Sequence, residues 1–145
     1  MYRNNQGWTI IELLVVVVIV GLLSTIAIPA YQDSVRKARR ADGAAKALEV
    51  AQLQERFFTN NFSYAATTTA LGYAATPTPS DDEFYNVSVS VPGGCTSAGV
   101  NSCYVITAVA VGAQTDDTDC AELVLNSNGQ KTSEDSDGDA SDECW

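Results

Sequence analysis

Few side chains in this sequence are placed where chemistry would be expected, and the most conspicuous is Glu12. Histidine is absent, which removes the commonest proton shuttle and metal ligand. There is no glycine-rich phosphate loop, and no pair of carboxylates can be assigned to a pocket. These absences predict a protein that is not an enzyme. Three features remain. Glu12 is the only charged residue between Trp8 and Ala30. Four cysteines, Cys95, Cys103, Cys120 and Cys144, all lie in the C-terminal half. The run Asp135-Ser-Asp137-Gly-Asp139-Ala-Ser-Asp142-Glu143 spaces carboxylates so that several oxygens could surround one hard cation.

Glu12 needs a reason to be where it is. Ile10–Ile28 is almost entirely Ile, Leu, Val and Ala, and about 20 such residues cross a bilayer as a helix. A carboxylate at mid-bilayer costs about 2.5–3.5 kcal/mol on insertion scales, so it is a functional candidate by default. An ordinary secretory signal has an apolar stretch of about 7–15 residues followed by a small-residue cleavage site. Here the stretch is longer and runs directly into Tyr31-Gln-Asp-Ser-Val.

Glu12 also falls five residues after Gly7. The segment Gly7-Trp8-Thr9-Ile10-Ile11-Glu12-Leu13-Leu14-Val15 resembles the class III signal of type IV prepilins. The resemblance implies a leader, 1–7, cut by a prepilin peptidase between Gly7 and Trp8, with N-methylation of Trp8. Trp8 stands where the family usually has Phe, and the leader carries one basic residue, Arg3. The family role carried onto Glu12 is neutralisation of a neighbouring subunit's new α-amino group. A desolvated pair of this kind is costly to break, because the remaining partner is a buried unpaired charge.

One helix is expected from about Thr9 to Thr59, with a kink at Pro29. It divides into a transmembrane and polymerisation part, 8–30, and an amphipathic part, 31–60. Proline in a helix interior deletes a backbone hydrogen bond, and glycine weakens helix by about 1 kcal/mol relative to alanine. The family reading of Gly21 and Pro29 is that the stretch between them loses helicity on assembly. Beyond residue 31 the composition favours helix, with two apolar stripes. One holds Ala44, Ala47, Leu48, Ala51 and Phe58, the other Val50, Leu53 and Phe57. A second stripe suits a helix that also packs in a bundle. The basic cluster Arg36, Lys37, Arg39 and Arg40 conflicts with the positive-inside rule if the cysteines are to reach an oxidising compartment. Arg39 and Arg40 are expected to form salt bridges between subunits.

Residues 61–145 should form the head. Alternation over Phe84–Val91 predicts a half-buried strand, and Cys103–Val111 and Ala121–Asn126 are further β-rich runs. Asn128-Gly129 is a hairpin signal, which makes Gln130–Ser133 a fourth strand. The fold class is therefore α+β: a long kinked N-terminal helix packed on a small antiparallel sheet, with a C-terminal disulfide loop. Four cysteines allow three pairings. Cys95–Cys103 with Cys120–Cys144 is favoured, because Pro92–Ser102 turns the chain and Cys103–Cys120 would be out of register. The region 120–144 is similar to the C-terminal disulfide region of PilE-like type IVa pilins. Asp135, Asp137, Asp139 and Glu143 are the candidate calcium ligands. No cofactor is otherwise expected.

The chain carries 8 basic and 18 acidic residues. From residue 57 onward Lys131 is the only basic side chain, against thirteen acids. Phosphate binding rests on Lys and Arg displacing counterions, so direct contact of the head with nucleic acid is disfavoured. The resemblance implies a pilus subunit serving adhesion, twitching motility and DNA uptake. It would sit in the inner membrane as a single-pass protein before assembly, then in an extracellular filament. Its partners would be itself, the prepilin peptidase and the inner-membrane assembly machinery. The alternatives are a type II secretion pseudopilin and a minor pilin acting as a tip binding module.

Overall fold

The structure, a computed structural model, describes residues 9–141 and 144–145. Helix α1 runs continuously over Ile10–Asn61, close to the expected span. The chain divides into two compact units at Val35/Arg36. The first contains the apolar half of α1. Thr9 caps the start of this helix: its hydroxyl accepts the Glu12 N–H at 3.3 Å. The T-x-x-E spacing of a capping box signals this in the sequence. Pro29 lies inside the helix. Having no N–H, it leaves the Thr25 carbonyl without its usual partner. Nearby, the Ser24 hydroxyl donates to the Val20 carbonyl at 2.8 Å, and that of Thr25 donates to the Leu22 carbonyl at 2.7 Å. The apolar side chains of this segment are exposed, and its length and composition suffice to cross a membrane.

The second unit is the rest of α1 together with seven short strands. These are β1 (Thr78–Pro79), β2 (Tyr85–Ser90), β3 (Thr96–Ser97), β4 (Val100–Asn101), β5 (Val105–Ala110), β6 (Glu122–Asn126) and β7 (Lys131–Glu134). Five form an antiparallel sheet in the order β1-β2-β5-β6-β7; β3 and β4 pair separately. The four expected strands are β2, β5, β6 and β7, each within about two residues. The alternation that identified β2 buries Tyr85, Val87 and Val89. Register aligns Val87, Ala108, Leu123 and Ser133 in one inward row and Val89, Ile106 and Leu125 in the next. Ala47 and Val50 of α1 complete this core.

The helix face differs from expectation. Its buried positions are Gly43, Lys46, Ala47, Val50 and Gln54. At 3.6 residues per turn these lie between the two apolar stripes, taking Ala47 from one and Val50 from the other. Leu48 is exposed, while Leu53, Phe57 and Phe58 are half-buried. Polarity misled because two buried residues are polar but satisfied. Gln54 pairs with the backbone of Ala65, donating from Nε2 at 2.8 Å and accepting at Oε1 at 2.9 Å. This imitates a strand pair and ties the loop after α1 to the helix. Gly43 makes room for the Tyr85 ring: an alanine Cβ there would lie 2.6 Å from it.

Both favoured disulfides are present, Cys95–Cys103 with Cα atoms 5.2 Å apart and Cys120–Cys144 with 5.6 Å. The first closes the β3–β4 hairpin at its base. The second joins the turn before β6 to the C-terminal segment. Between β6 and β7 the Asn126 side chain accepts the N–H groups of Asn128 and Gln130, both at 3.0 Å. Gly129 supplies the left-handed φ of 78° that this turn requires.

On the solvent face Glu122 and Glu134 are directly opposed across β6 and β7. Burial, and then the charge of Glu134, push the Glu122 carboxyl above its ordinary value. A raised carboxyl binds its proton more tightly in the folded state. Its stabilising effect is complete below the ordinary value and is lost as pH rises through the raised one. Glu134→Gln is therefore expected to stabilise the head at pH 7 by about 0.2–1 kcal/mol, the range for a cross-strand pair. The gain should disappear below about pH 4. Urea unfolding of both proteins across that range checks it.

Candidate assembly site

In the first unit Glu12 is the one carboxylate within the apolar run 10–28 of α1. Glu12 lies in the first turn of α1, where the helix dipole favours a negative charge, and it is exposed, as are the apolar side chains around it. A methyl group placed on Gly21 would meet nothing within 4 Å, so packing within the chain does not require glycine there. Gly7 and Trp8 lie outside the described residues.

The second unit shows what the basic cluster does inside the chain. Arg40, expected to act between subunits, forms a two-pronged pair with Asp117 within the chain. Nε and a terminal nitrogen each donate at 2.6 Å. Arg40 is 13% exposed and Asp117 2%. The hydrogen bond to Asp117 holds the Arg40 guanidinium above its ordinary pKa. Gln114, fully buried, donates to Asp117 at 2.8 Å, to the Tyr85 hydroxyl at 3.2 Å and to the Arg36 carbonyl at 3.4 Å. Burial pushes the Tyr85 phenol up. Arg39 also bonds within the chain: it donates to the Ala113 carbonyl at 3.2 Å and lies over the Phe84 ring at 4.6 Å. Together these contacts hold the 3₁₀ segment Gly112–Asp116 and the residues after it against α1. Sequence shows a run of charges but not which loop folds back to meet it, so these partners within the chain were not foreseen.

One and two turns further along, α1 holds the β1–β2 turn. Asp42 accepts the Asp82 N–H at 3.3 Å. Lys46 reaches Asp81 at 2.6 Å and Glu49 at 2.8 Å. Burial alone would lower the Lys46 pKa; the hydrogen bonds it donates to Asp81 and Glu49 overcome this and raise it. The same contact with Lys46 holds Glu49 below its ordinary value. Tyr73 donates to Glu49 at 2.8 Å, and burial with that bond pushes its phenol up to about 12. Neither Lys46 nor Gln114 was among the expected site residues, and no local pattern in the sequence marks them.

Among the described residues, Asp135, Asp137 and Asp139 of the expected calcium ligands are not gathered. Asp135 turns one carboxylate oxygen inward to accept the N–H groups of Asp137 and Asp139, both at 2.9 Å. Among the described residues no three acidic side chains converge on a point. Glu143 lies outside them.

Comparison with known proteins decides the family. Residues 29–124 match the family described as type IV minor pilin ComP, DNA uptake sequence receptor. Residues 2–28 match the prokaryotic N-terminal methylation motif. The chain is 32% identical over 98 residues to the type IV wide pilus major component PilA4 of Thermus thermophilus, covering 67% of this chain and 75% of that protein. The chain belongs to the type IV pilins. Over 110 residues it is 31% identical to the fimbrial protein EcpC of Eikenella corrodens, covering 76% of this chain and 69% of the relative. With the type IV major pilin protein PilE1 of Neisseria gonorrhoeae it shares 30% identity over 102 residues, covering 70% of this pilin. It spans only 56% of that relative. A solved type IV pilin from Shewanella oneidensis aligns with 66% of this chain and 89% of its own, at 23% identity and a TM-score of 0.47. Membership makes this a structural protein, anchored in the membrane by its apolar helix and then assembled into an extracellular pilus.

Proposed function

We propose that this pilin is trimmed between Gly7 and Trp8, methylated at Trp8 and polymerised through the apolar half of α1 into a filament for adhesion and twitching motility. The observation that carries the reading is one ionisable side chain, Glu12, in the apolar run 10–28 of α1, whose surface has no cover among the described residues. Water tolerates such a surface poorly, so lipid and then neighbouring helices would cover it. In the filament Glu12 would meet the α-amino group of an adjacent Trp8. Neutralising that pair in an apolar setting would set the register between subunits. The prepilin peptidase and the inner-membrane assembly machinery would be its partners, and no catalytic role is assigned. The relatives named above are pilus and fimbrial proteins, which favours this reading over a secretion pseudopilin.

Mass spectrometry of filaments sheared from cells tests it. The expected species starts at Trp8, carries one methyl group and is four hydrogens lighter than the reduced chain. Glu12→Ala should be trimmed normally, yet filament yield should fall by about 100-fold, as expected when a buried charge loses a partner at about 3 kcal/mol or more. A chain still beginning at Met1 overturns the processing step.

A second reading, reception of DNA, rests on the description of the family matched over 29–124. Charge weighs against direct contact: residues 36–145 hold seven basic and sixteen acidic side chains. A gel shift with duplex DNA at low salt would favour it if a complex formed that dissolved steeply as salt rose.

A further inference from the structure

Lys37, unlike its neighbours Arg39 and Arg40, is exposed and has no partner among the described residues. It lies at the lip of a hollow of about 340 Å³ lined by Lys37, Arg40, Ala41, Ala44, Cys144 and Trp145. The charge of Arg40 is already matched by Asp117, so the hollow offers one unmatched ammonium beside small side chains and an indole.

The opposite charge sits on the other flank of the same helix. The turn Ser80–Glu83 is closed by the Glu83 N–H donating to the Ser80 carbonyl at 3.1 Å and is strapped to α1 at Asp42 and Lys46. Asp82 and Glu83 project from it, exposed. Glu83 has a φ of 60°, a left-handed conformation that favours glycine. A carboxylate is thus held on a strained backbone, with no partner for its side chain among the described residues. Strain of this kind points to a role for the residue that occupies it.

At 3.6 residues per turn, helix positions 37, 41 and 44 lie on one side of the core-facing stripe of Gly43, Ala47 and Val50. Positions 42 and 46, which hold the turn, lie on the other. A hollow and a complementary knob at one level, on opposite flanks, define a heterologous contact. Repetition of such a contact gives a helical array when it does not close into a ring. The Asp135–Asp139 turn is a poorer knob, because the chain just after it, Ala140 and Ser141, lines a second pocket that shares Trp145 with the hollow.

We propose that in the filament the Asp82–Glu83 turn of one copy docks against Lys37 in the hollow of the next. This rests on the polymerisation reading and adds a head-to-head contact to it. The test uses full-length chains expressed in piliating cells, with sheared filament measured against total pilin. Lys37→Glu, and separately Asp82→Lys with Glu83→Lys, should each lower assembled pilin by about tenfold, since like charges facing each other across an interface are strongly disfavoured. The combined charge swap should restore it. Glu83→Gly relieves the backbone, so it should raise the Tm of the chain by a few degrees while still weakening filaments. A merely structural role would not separate those two readouts. Unchanged yield and salt resistance in both reversals, or losses that the swap fails to repair, overturn the contact. A wild-type chain that forms no filaments overturns the polymerisation reading as well.

Discussion

Arg40→Ala should lower the stability of the folded chain by about 3–5 kcal/mol, the cost of leaving the other half of a buried ion pair without its counter-charge. Asp117 is 2% exposed and would keep only the amide of Gln114 as a side-chain donor. Water cannot readily replace a guanidinium that donates twice at 2.6 Å. The loss should exceed about 10 °C in Tm for a head of this size, followed by circular dichroism of full-length protein in detergent. Asp117→Asn should cost less, because it removes the charge and keeps a polar group for Gln114. The double change Arg40→Met with Asp117→Leu should recover much of the stability, since an apolar pair of similar volume often equals a buried ion pair. If Arg40→Ala moved Tm by only a degree or two, the pair would not hold the Gly112–Asp116 segment to α1.

Gly43→Ala should destabilise the head by roughly 2 kcal/mol, although it improves helix propensity by about 1 kcal/mol. The added methyl would lie 2.6 Å from two ring atoms of Tyr85. Tyr85 is fully buried, and its ring cannot yield without disturbing β2 or the hydroxyl contact with Gln114. Overpacking of this kind costs about 1–3 kcal/mol or more, and the short contacts place this site at the upper end. Gly43→Val should be worse. Gly21→Ala is the natural contrast, because a methyl there meets nothing. It should leave the isolated chain at least as stable, so any loss of filament from Gly21→Ala would mean that the helix loosens there on assembly. Equal Tm for wild type and Gly43→Ala would show that the helix can stand further from the sheet than it does.

Gly43 also shows where sequence stopped informing. Alternation at period 2 identified β2, and the turn pair Asn128-Gly129 placed β6 and β7, because these signals are local. The disulfides followed from turn chemistry and register in the same way. The core-facing stripe of α1 did not, since two of its five buried members, Lys46 and Gln54, are polar and a third has no side chain. Their burial is decided by partners far along the chain: Asp81, the backbone of Ala65 and Tyr85. The single glycine among helix-favouring Arg39–Leu48 was the available hint, a local cost that only a tertiary contact explains. The intrachain partners of Arg39 and Arg40, the Ala113 carbonyl and Asp117, were hidden for the same reason. The N-terminal methylation motif, matched over residues 2–28, needed no tertiary partner and was legible at once.

The β3–β4 hairpin has a consequence for variation among such subunits. Cys95 and Cys103 fasten its base, and Asn101 moors it to the loop after α1, exchanging bonds at 3.0 Å with the Tyr64 backbone. Its tip, Ser97-Ala98-Gly99-Val100, touches none of the five sheet strands through pairing. Residues there can change, or the loop can lengthen, at little thermodynamic cost, and without shifting the register of β2 on β5. The hairpin is therefore a stapled graft position. A foreign epitope inserted between Ser97 and Val100 would leave the sheet beneath it as it was, and in a filament it would be presented once per subunit.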